Sequence, residues 1–141
     1  MTNRRAFLKT GAAVVVTGAT AASSVVMAAS HNSMATTSPL QGLVYTKAQP
    51  GMWAKKVGGH LPEIEVSGDS IKIITDHGMS AKHFIVRHTL VLENGTVASA
   101  KTFTPEDEAE SVHKLPKGYK GKIFATSFCN KHDMWMNEAV I

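Results

Sequence analysis

Cysteine is almost absent from this sequence: Cys129 is the single one in 141 residues, so no intramolecular disulfide can form. A long unbroken apolar run is also missing. The most hydrophobic stretch, 11–27, is diluted by Gly, Thr and Ser, whereas a bilayer-spanning helix needs about 20 predominantly apolar residues. Paired arginines precede it in Asn3-Arg4-Arg5-Ala6-Phe7-Leu8-Lys9. Together these features read as a twin-arginine export signal, handled by the twin-arginine translocase, in preference to an uncleaved membrane anchor. Val26 and Ala28 are the small residues that a signal peptidase reads, so cleavage is expected after Ala28, with Ala29 as the second choice. The mature protein is then expected outside the cytoplasmic membrane, in the periplasm.

Acidic residues are missing from 1–28, while Arg4, Arg5 and Lys9 all lie there, so removing the signal lowers the formal charge from +4 to +1. A nucleic-acid binder keeps a basic surface after processing. Here the remaining lysines are scattered among acids such as Glu106-Asp107-Glu108, which excludes nucleic acid as a partner. No internal repeat and no long helical period is visible.

What the chain does have is strand texture. The stretch 29–49 shows no apolar period and reads as a flexible leader into a domain spanning 50–141. Short runs rich in Val, Ile, Phe and Thr then recur at 63–66, 71–75, 84–92, 96–103, 111–115, 122–128 and 135–141. Turn chemistry separates them, at Ser67-Gly68-Asp69, Glu93-Asn94-Gly95 and Pro116-Lys117-Gly118, with Asn94-Gly95 the clearest hairpin signal. Seven strands at this spacing predict an all-β, antiparallel sandwich. Phe84, Val86, Leu90 and Leu92, with Phe124 and Phe128 on another strand, are expected to face inward.

Seven histidines stand against that scaffold. His60 follows Gly58-Gly59 in the loop before the first strand. His77 and His83 bracket a loop entering the long central strand. Cys129 and His132 bracket Asn130-Lys131 at a strand end, a Cys-x-x-His spacing that offers sulfur and nitrogen to one ion from a single turn. Each histidine alone is an ordinary polar side chain; a shared metal accounts for the lone thiol and the loop-borne imidazoles together. His31, His88 and His113 are read as structural. Structural zinc is four-coordinate and closed, and four imidazoles plus a thiolate exceed it. A nitrogen square with axial sulfur and one open position suits iron that meets a small substrate. A blue-copper electron carrier using Cys129, His132, one further histidine and Met134 or Met136 is the alternative.

The segments His60-Leu61-Pro62, His77-Gly78-Met79 with His83-Phe84-Ile85, and Cys129-Asn130-Lys131-His132-Asp133-Met134-Trp135 resemble the three motifs of the superoxide reductase family, the neelaredoxin and desulfoferrodoxin iron domain. The resemblance covers about residues 50–141 in matching order. It implies a seven-stranded immunoglobulin-like sandwich and one mononuclear non-haem iron, cycling between Fe(2+) and Fe(3+). Four equatorial nitrogens would come from His60, His77, His83 and His132, and an axial sulfur from Cys129. It further implies reduction of superoxide to hydrogen peroxide with an external electron donor. A homo-oligomer is compatible with it, and no second cysteine cluster exists for an additional rubredoxin-like iron.

Two departures from the family pattern bear on activity. Many members carry Glu-Lys before the first histidine, where this chain has Gly58-Gly59, and Asp133-Met134 replaces a common Gly-Leu. Lys55 and Lys56 lie just upstream on the glycine-hinged segment. Lys56 is therefore the candidate catalytic cation, against the plainer reading that both lysines are solvated. An exported iron-binding protein without superoxide turnover remains the alternative function. If His31 is structural, as read here, His31→Ala should leave the metal content of the purified protein unchanged, measured by elemental analysis.

Overall fold

The computed structural model describes residues 40–141; residues 1–28, read as an export signal, and residues 29–39 of the expected leader lie outside the described residues. In chain order the elements are β1 (Val44–Tyr45), a 3-10 segment (Gly51–Lys56) running into the one-turn α1 (Val57–His60), β2 (Glu63–Ser67), β3 (Ser70–Ile74), β4 (Ile85–Leu92), β5 (Val97–Thr102), β6 (Glu110–Lys114), β7 (Lys122–Cys129) and β8 (Asp133–Val140). They form a five-stranded sheet, β1-β8-β7-β4-β5, and a three-stranded sheet, β2-β3-β6. This is the expected immunoglobulin-like sandwich. Among the described residues no helix is long and apolar enough to cross a membrane.

Strands β2 to β8 correspond to the seven read from the sequence, and turn chemistry separates them as expected. At the β4–β5 hairpin Gly95 takes φ 84°, Gly95 N–H donates to Leu92 O at 2.9 Å, and Thr96 N–H donates to Asn94 Oδ1 at 3.0 Å. An L side chain tolerates that backbone poorly, which is why glycine stands there. The eighth strand, β1, was not expected. It runs parallel to β8, pairing Val44 with Met134 and Tyr45 with Trp135, so the sandwich is not wholly antiparallel. Residues 44 and 45 lie within the stretch read as leader, yet Tyr45 is buried and its ring packs 5.6 Å from that of Trp135. Two residues are too few to show a period of two, so sequence pattern could not reveal them.

The core lies between the sheets: Ile71 and Ile73 of β3 meet Leu90 and Leu92 of β4, Ile123 and Ala125 of β7, and Leu115. Truncating a buried Ile or Leu at such a position costs about 2–5 kcal/mol. The inward face of β7 differs from expectation. Ile123, Ala125, Ser127 and Cys129 are buried, and Phe128, expected inside, is exposed, with Phe124 on the same outer parity. Side chains alternate strictly along a strand, so a buried Cys129 sends both phenylalanines outward. A register irregularity between Ile85 and Arg87 has a similar effect on β4. It puts Ile85 inside together with His88, Leu90 and Leu92, while Phe84 and Val86 are only partly covered.

A polar chain crosses this core and links both sheets. Thr75 Oγ1–H donates to Ser127 Oγ at 2.9 Å and therefore accepts Nε2–H of His88, also at 2.9 Å. His88 Nδ1 is then the acceptor for the Ser111 hydroxyl at 2.9 Å. Ser111 in turn accepts Nε2–H of His113 at 2.8 Å, and His113 Nδ1 accepts the Ser99 hydroxyl at 2.6 Å. Every ring nitrogen is used, so both histidines are neutral Nε2–H tautomers, in keeping with a structural role. Leaving one such buried group unpaired costs about 1–3 kcal/mol.

Burial, reinforced by the nearby charges of His113 and Lys101, pushes His88 down from 6.5 to about 3. The unfolded chain therefore binds more protons than the folded one between those values. Stability falls as pH falls, by up to about 1.4 kcal/mol per pH unit from this residue. His88→Gln should flatten the decline of the urea midpoint of metal-free protein between about pH 6 and 4. Equal slopes in the two proteins would show that His88 is not held neutral.

Candidate metal centre

One end of the sandwich gathers all five candidate ligands from three chain segments. His60 closes α1 and is 4% exposed; its Nδ1–H donates to Lys56 O at 3.1 Å, which turns Nε2 inward as a lone pair. Gly59 allows α1 to approach the loop after β3, since a Cβ there would stand 3.3 Å from Asp76 O. In that loop His77 N–H is tied to Thr75 O at 2.8 Å. The chain then folds back on itself where Ser80 and His83 exchange two backbone hydrogen bonds of 3.0 Å. Cys129 ends β7, and His132 occupies the turn into β8.

The residues between the ligands also have structural work. Asn130 accepts Phe84 N–H at 3.1 Å through Oδ1 and donates to Lys82 O at 3.2 Å through Nδ2, clamping the His83 loop to the Cys129 turn. Trp135, fully buried, donates its indole N–H to His132 O at 2.8 Å. Thr75 and Ser127, hydrogen-bonded to each other, stand two residues before His77 and Cys129, so the polar chain of the core joins the strand ends that present two ligands. Asn130 and Trp135 both appear in the sequence motif; Trp135 bonds within it, three residues back, whereas the partners of Asn130 are more than 40 residues away and only the fold supplies them.

Four imidazole nitrogens form a closed circuit. His60 Nε2 is 2.9 Å from His132 Nδ1, His132 Nδ1 is 3.0 Å from His83 Nε2, and His83 Nε2 is 3.1 Å from His77 Nε2. The fourth side, His77 to His60, is closed by ring centroids 4.6 Å apart. Rings at adjacent corners are steeply inclined, 86° for His60 and His77 and 70° for His83 and His132, whereas the rings of His60 and His83, at opposite corners, lie 5.9 Å apart and only 27° from parallel. Cys129 Sγ lies 3.9 Å from His77 Nε2 and 3.7 Å from His132 Nδ1. Near-equal distances to two opposite corners place the sulfur off one face of the square.

This donor set fits a metal better than it fits hydrogen bonding. His60 has already committed its one proton to Lys56 O, so a neutral ring presents only a lone pair at Nε2. His132 Nδ1 would have to serve His60 and His83 at once, and an imidazole nitrogen has one proton or one lone pair. With nitrogens about 2.1 Å from a central ion, as in zinc–imidazole bonds, adjacent corners of a square would be about 3.0 Å apart. The donor atoms of His60, His77, His83 and Cys129 all lie within 4.8 Å of one another, and His132 completes the circuit.

Electrostatics favours the ligand form of each ring. His60 is pushed down to about 4, first by burial and then chiefly by the neighbouring His77. Burial is also the main cause that lowers His77, His83 and His132, and the Lys56 charge adds to it at all three. The four rings are thus neutral at pH 7. Lys56 also lines an open cavity of about 360 Å³ with Lys55, His60, His77 and His83; Cys129 does not reach it. The Gly58 position faces open space. Beyond His77, a larger cavity is lined by Glu63, Asp76, Asp107, Glu108 and Glu110, a surface that repels anions.

Cys129→Ser should abolish sulfur-to-metal charge-transfer absorption, and colour retained in that variant would refute sulfur ligation. His77→Ala and His83→Ala should each weaken metal retention at least about tenfold against a chelator.

Relatives among solved structures share this architecture. A variant of the superoxide reductase (neelaredoxin) from Ignicoccus hospitalis aligns at TM-score 0.65 and 23% identity over 74% of this chain and 98% of its own. Another structure of the Ignicoccus hospitalis protein aligns at 0.60 and 25%, over 71% and 94%. The superoxide reductase (1Fe-SOR) from Giardia intestinalis aligns at 0.53 and 22%, over 59% and 98%. No curated protein sequence matches the chain. The desulfoferrodoxin family profile matches residues 52–138, a span that holds every residue of the imidazole and thiol circuit, and the chain belongs to the desulfoferrodoxin family.

Proposed function

We propose that the protein is a non-haem iron superoxide reductase, whose iron would be held by the imidazoles of His60, His77, His83 and His132 and the sulfur of Cys129. The observation that carries this reading is the arrangement of the donors: a circuit of four neutral imidazole nitrogens, a buried thiol off one face, and a lysine-lined cavity reaching three of the four rings. Family membership and the relatives that are themselves superoxide reductases support it. A blue-copper site needs only two of the four histidines.

The reaction consumes one superoxide, one electron and two protons and yields hydrogen peroxide. An iron held by these residues would supply the one-electron chemistry, with an external donor restoring the electron. The chain's own groups do the rest. Neutral imidazoles add no negative charge, so an anion is attracted, and the Cys129 thiolate supplies electron density from the buried side. Lys56, with Lys55 beside it, lines the open cavity and stands in for the charged pair that Gly58 and Gly59 lack. Its ammonium draws the anion toward the histidines, while the acidic cavity beyond His77 discourages approach from that side. Two protons come from solvent through the same opening.

Residues 1–28 are read as a twin-arginine signal that delivers the folded, loaded protein to the periplasm. That route is associated with proteins that acquire cofactors before crossing the membrane. Replacing Arg4 and Arg5 together by Lys should leave the uncut precursor in the cytoplasm, seen by fractionation.

The first test is metal content with optical and paramagnetic-resonance spectra, followed by mixing reduced protein with a pulse of superoxide. One iron per chain, a thiolate band and stoichiometric peroxide are expected. Iron that leaves superoxide untouched would make this an exported iron-binding or electron-transfer protein, and copper would overturn the iron reading. Lys56→Ala should slow the superoxide reaction about threefold at low salt, with the gap closing at high salt. An unchanged rate at low salt would return Lys56 to the solvated surface.

A further inference from the structure

Among the described residues, Asp133 is the only non-glycine with a positive φ, 64°. Few side chains are found in that left-handed region, although Asp tolerates it better than most. The carboxylate at this position has a specific partner 80 residues away: Trp53 donates its indole N–H to Asp133 Oδ2 at 2.9 Å. The same indole stands edge-on to the ring of His132, with centroids 4.7 Å apart and planes at 80°.

Trp53 lies in the 3-10 segment Gly51–Lys56, which has a kink at Trp53 itself and no buried residue. Core packing therefore does little to hold it. Its chain leads directly into Lys56, whose carbonyl orients His60. The Trp53–Asp133 bond is the only side-chain hydrogen bond among the described residues that ties this segment to the sheets. The segment also comes close to β1 at Gly51, where a Cβ would lie 2.9 Å from the Tyr45 ring.

We propose that Asp133 is a positioning residue for the metal centre: its carboxylate latches Trp53, and the latched segment keeps His60 and Lys56 in place beside His132. The role rests on the reading of His60 and His132 as iron ligands. The left-handed backbone at Asp133 aims the carboxylate across the turn after His132, toward the segment that a glycine there would leave untied.

Iron loss to a chelator from the loaded protein measures the latch without any need for turnover. Asp133→Ala and Trp53→Phe should each speed iron loss about tenfold, and the double variant should lose iron no faster than either single one. Asp133→Asn, which keeps an acceptor, should restore most of the retention. Asp133→Gly should lose iron as fast as Asp133→Ala, even though it relieves the backbone and so resists urea better. A wild-type rate in Trp53→Phe, or single effects that multiply in the double variant, would overturn the proposal. In metal-free protein the Trp53 indole N–H should be protected from solvent exchange and lose that protection in Asp133→Ala; equal exchange in both would overturn it too. Slow iron loss that depends on the latch, in a protein that leaves superoxide untouched, would sink the reductase reading while upholding the latch.

Discussion

Five donor atoms from three separate segments must meet within about a bond length of one point, and this convergence is the constraint on which the rest of the structure depends. The nitrogen atoms lie 2.9–3.1 Å apart, and His83 Nε2 and His132 Nδ1 each face two neighbours with only one proton or one lone pair to offer, so part of the circuit is repulsive unless a cation sits among them. The surrounding protein therefore has to hold the rings against that repulsion before any ion binds. It does so with rigid strand ends and short loops in place of long flexible ones. The strand carrying Cys129 is paired on both sides, by β4 and β8. The loop carrying His83 is closed by its own backbone bonds to Ser80.

Around the donors the polar side chains act as cross-links between segments. Asn130 joins the Cys129 turn to the His83 loop, Thr75 joins the base of the His77 loop to Ser127, and Trp135 fixes the His132 carbonyl. The first two bonds lie between elements distant in sequence and transmit the geometry of the sandwich to the site, while the third anchors the His132 turn to a fully buried indole. The core beneath is partly polar for the same reason. The chain of hydroxyls and imidazoles from Ser99 to Ser127 satisfies every buried nitrogen of His88 and His113, and it ties together the strands from which ligands project. A purely apolar core would pack as well but would specify the relative position of the sheets less tightly.

Charge is also divided by the fold. The net formal charge of residues 29–141 is small, yet Lys55 and Lys56 border one cavity beside the histidines and carboxylates border the next. Asp76 belongs to both linings, so the division is between clusters on either side of His77. For a site that takes an anion, local arrangement matters far more than the total.

The sequence already contained most of this site. The lone Cys129, the Cys-x-x-His turn and the loop histidines at 60, 77 and 83 were legible because metal ligands need particular side chains at strand ends, and turn residues mark strand ends. Seven strands were legible because Asn94-Gly95 and its counterparts encode their own backbone conformations locally. The inward face of β7 and the register break in β4 were not, since a period of two gives the same apolar count for either phase until the burial of Cys129 selects one. Strand β1 was not legible because two residues have no period, and its place depends on Trp135. The pairing of Trp53 with Asp133 across 80 residues was equally hidden. The sequence by itself determined which side chains were available as ligands and where the chain would turn. Only the tertiary structure decided which nitrogens face one another, that Lys55 and Lys56 border the open cavity, and which distant partners hold the site together, because those are relations between segments that no local pattern encodes.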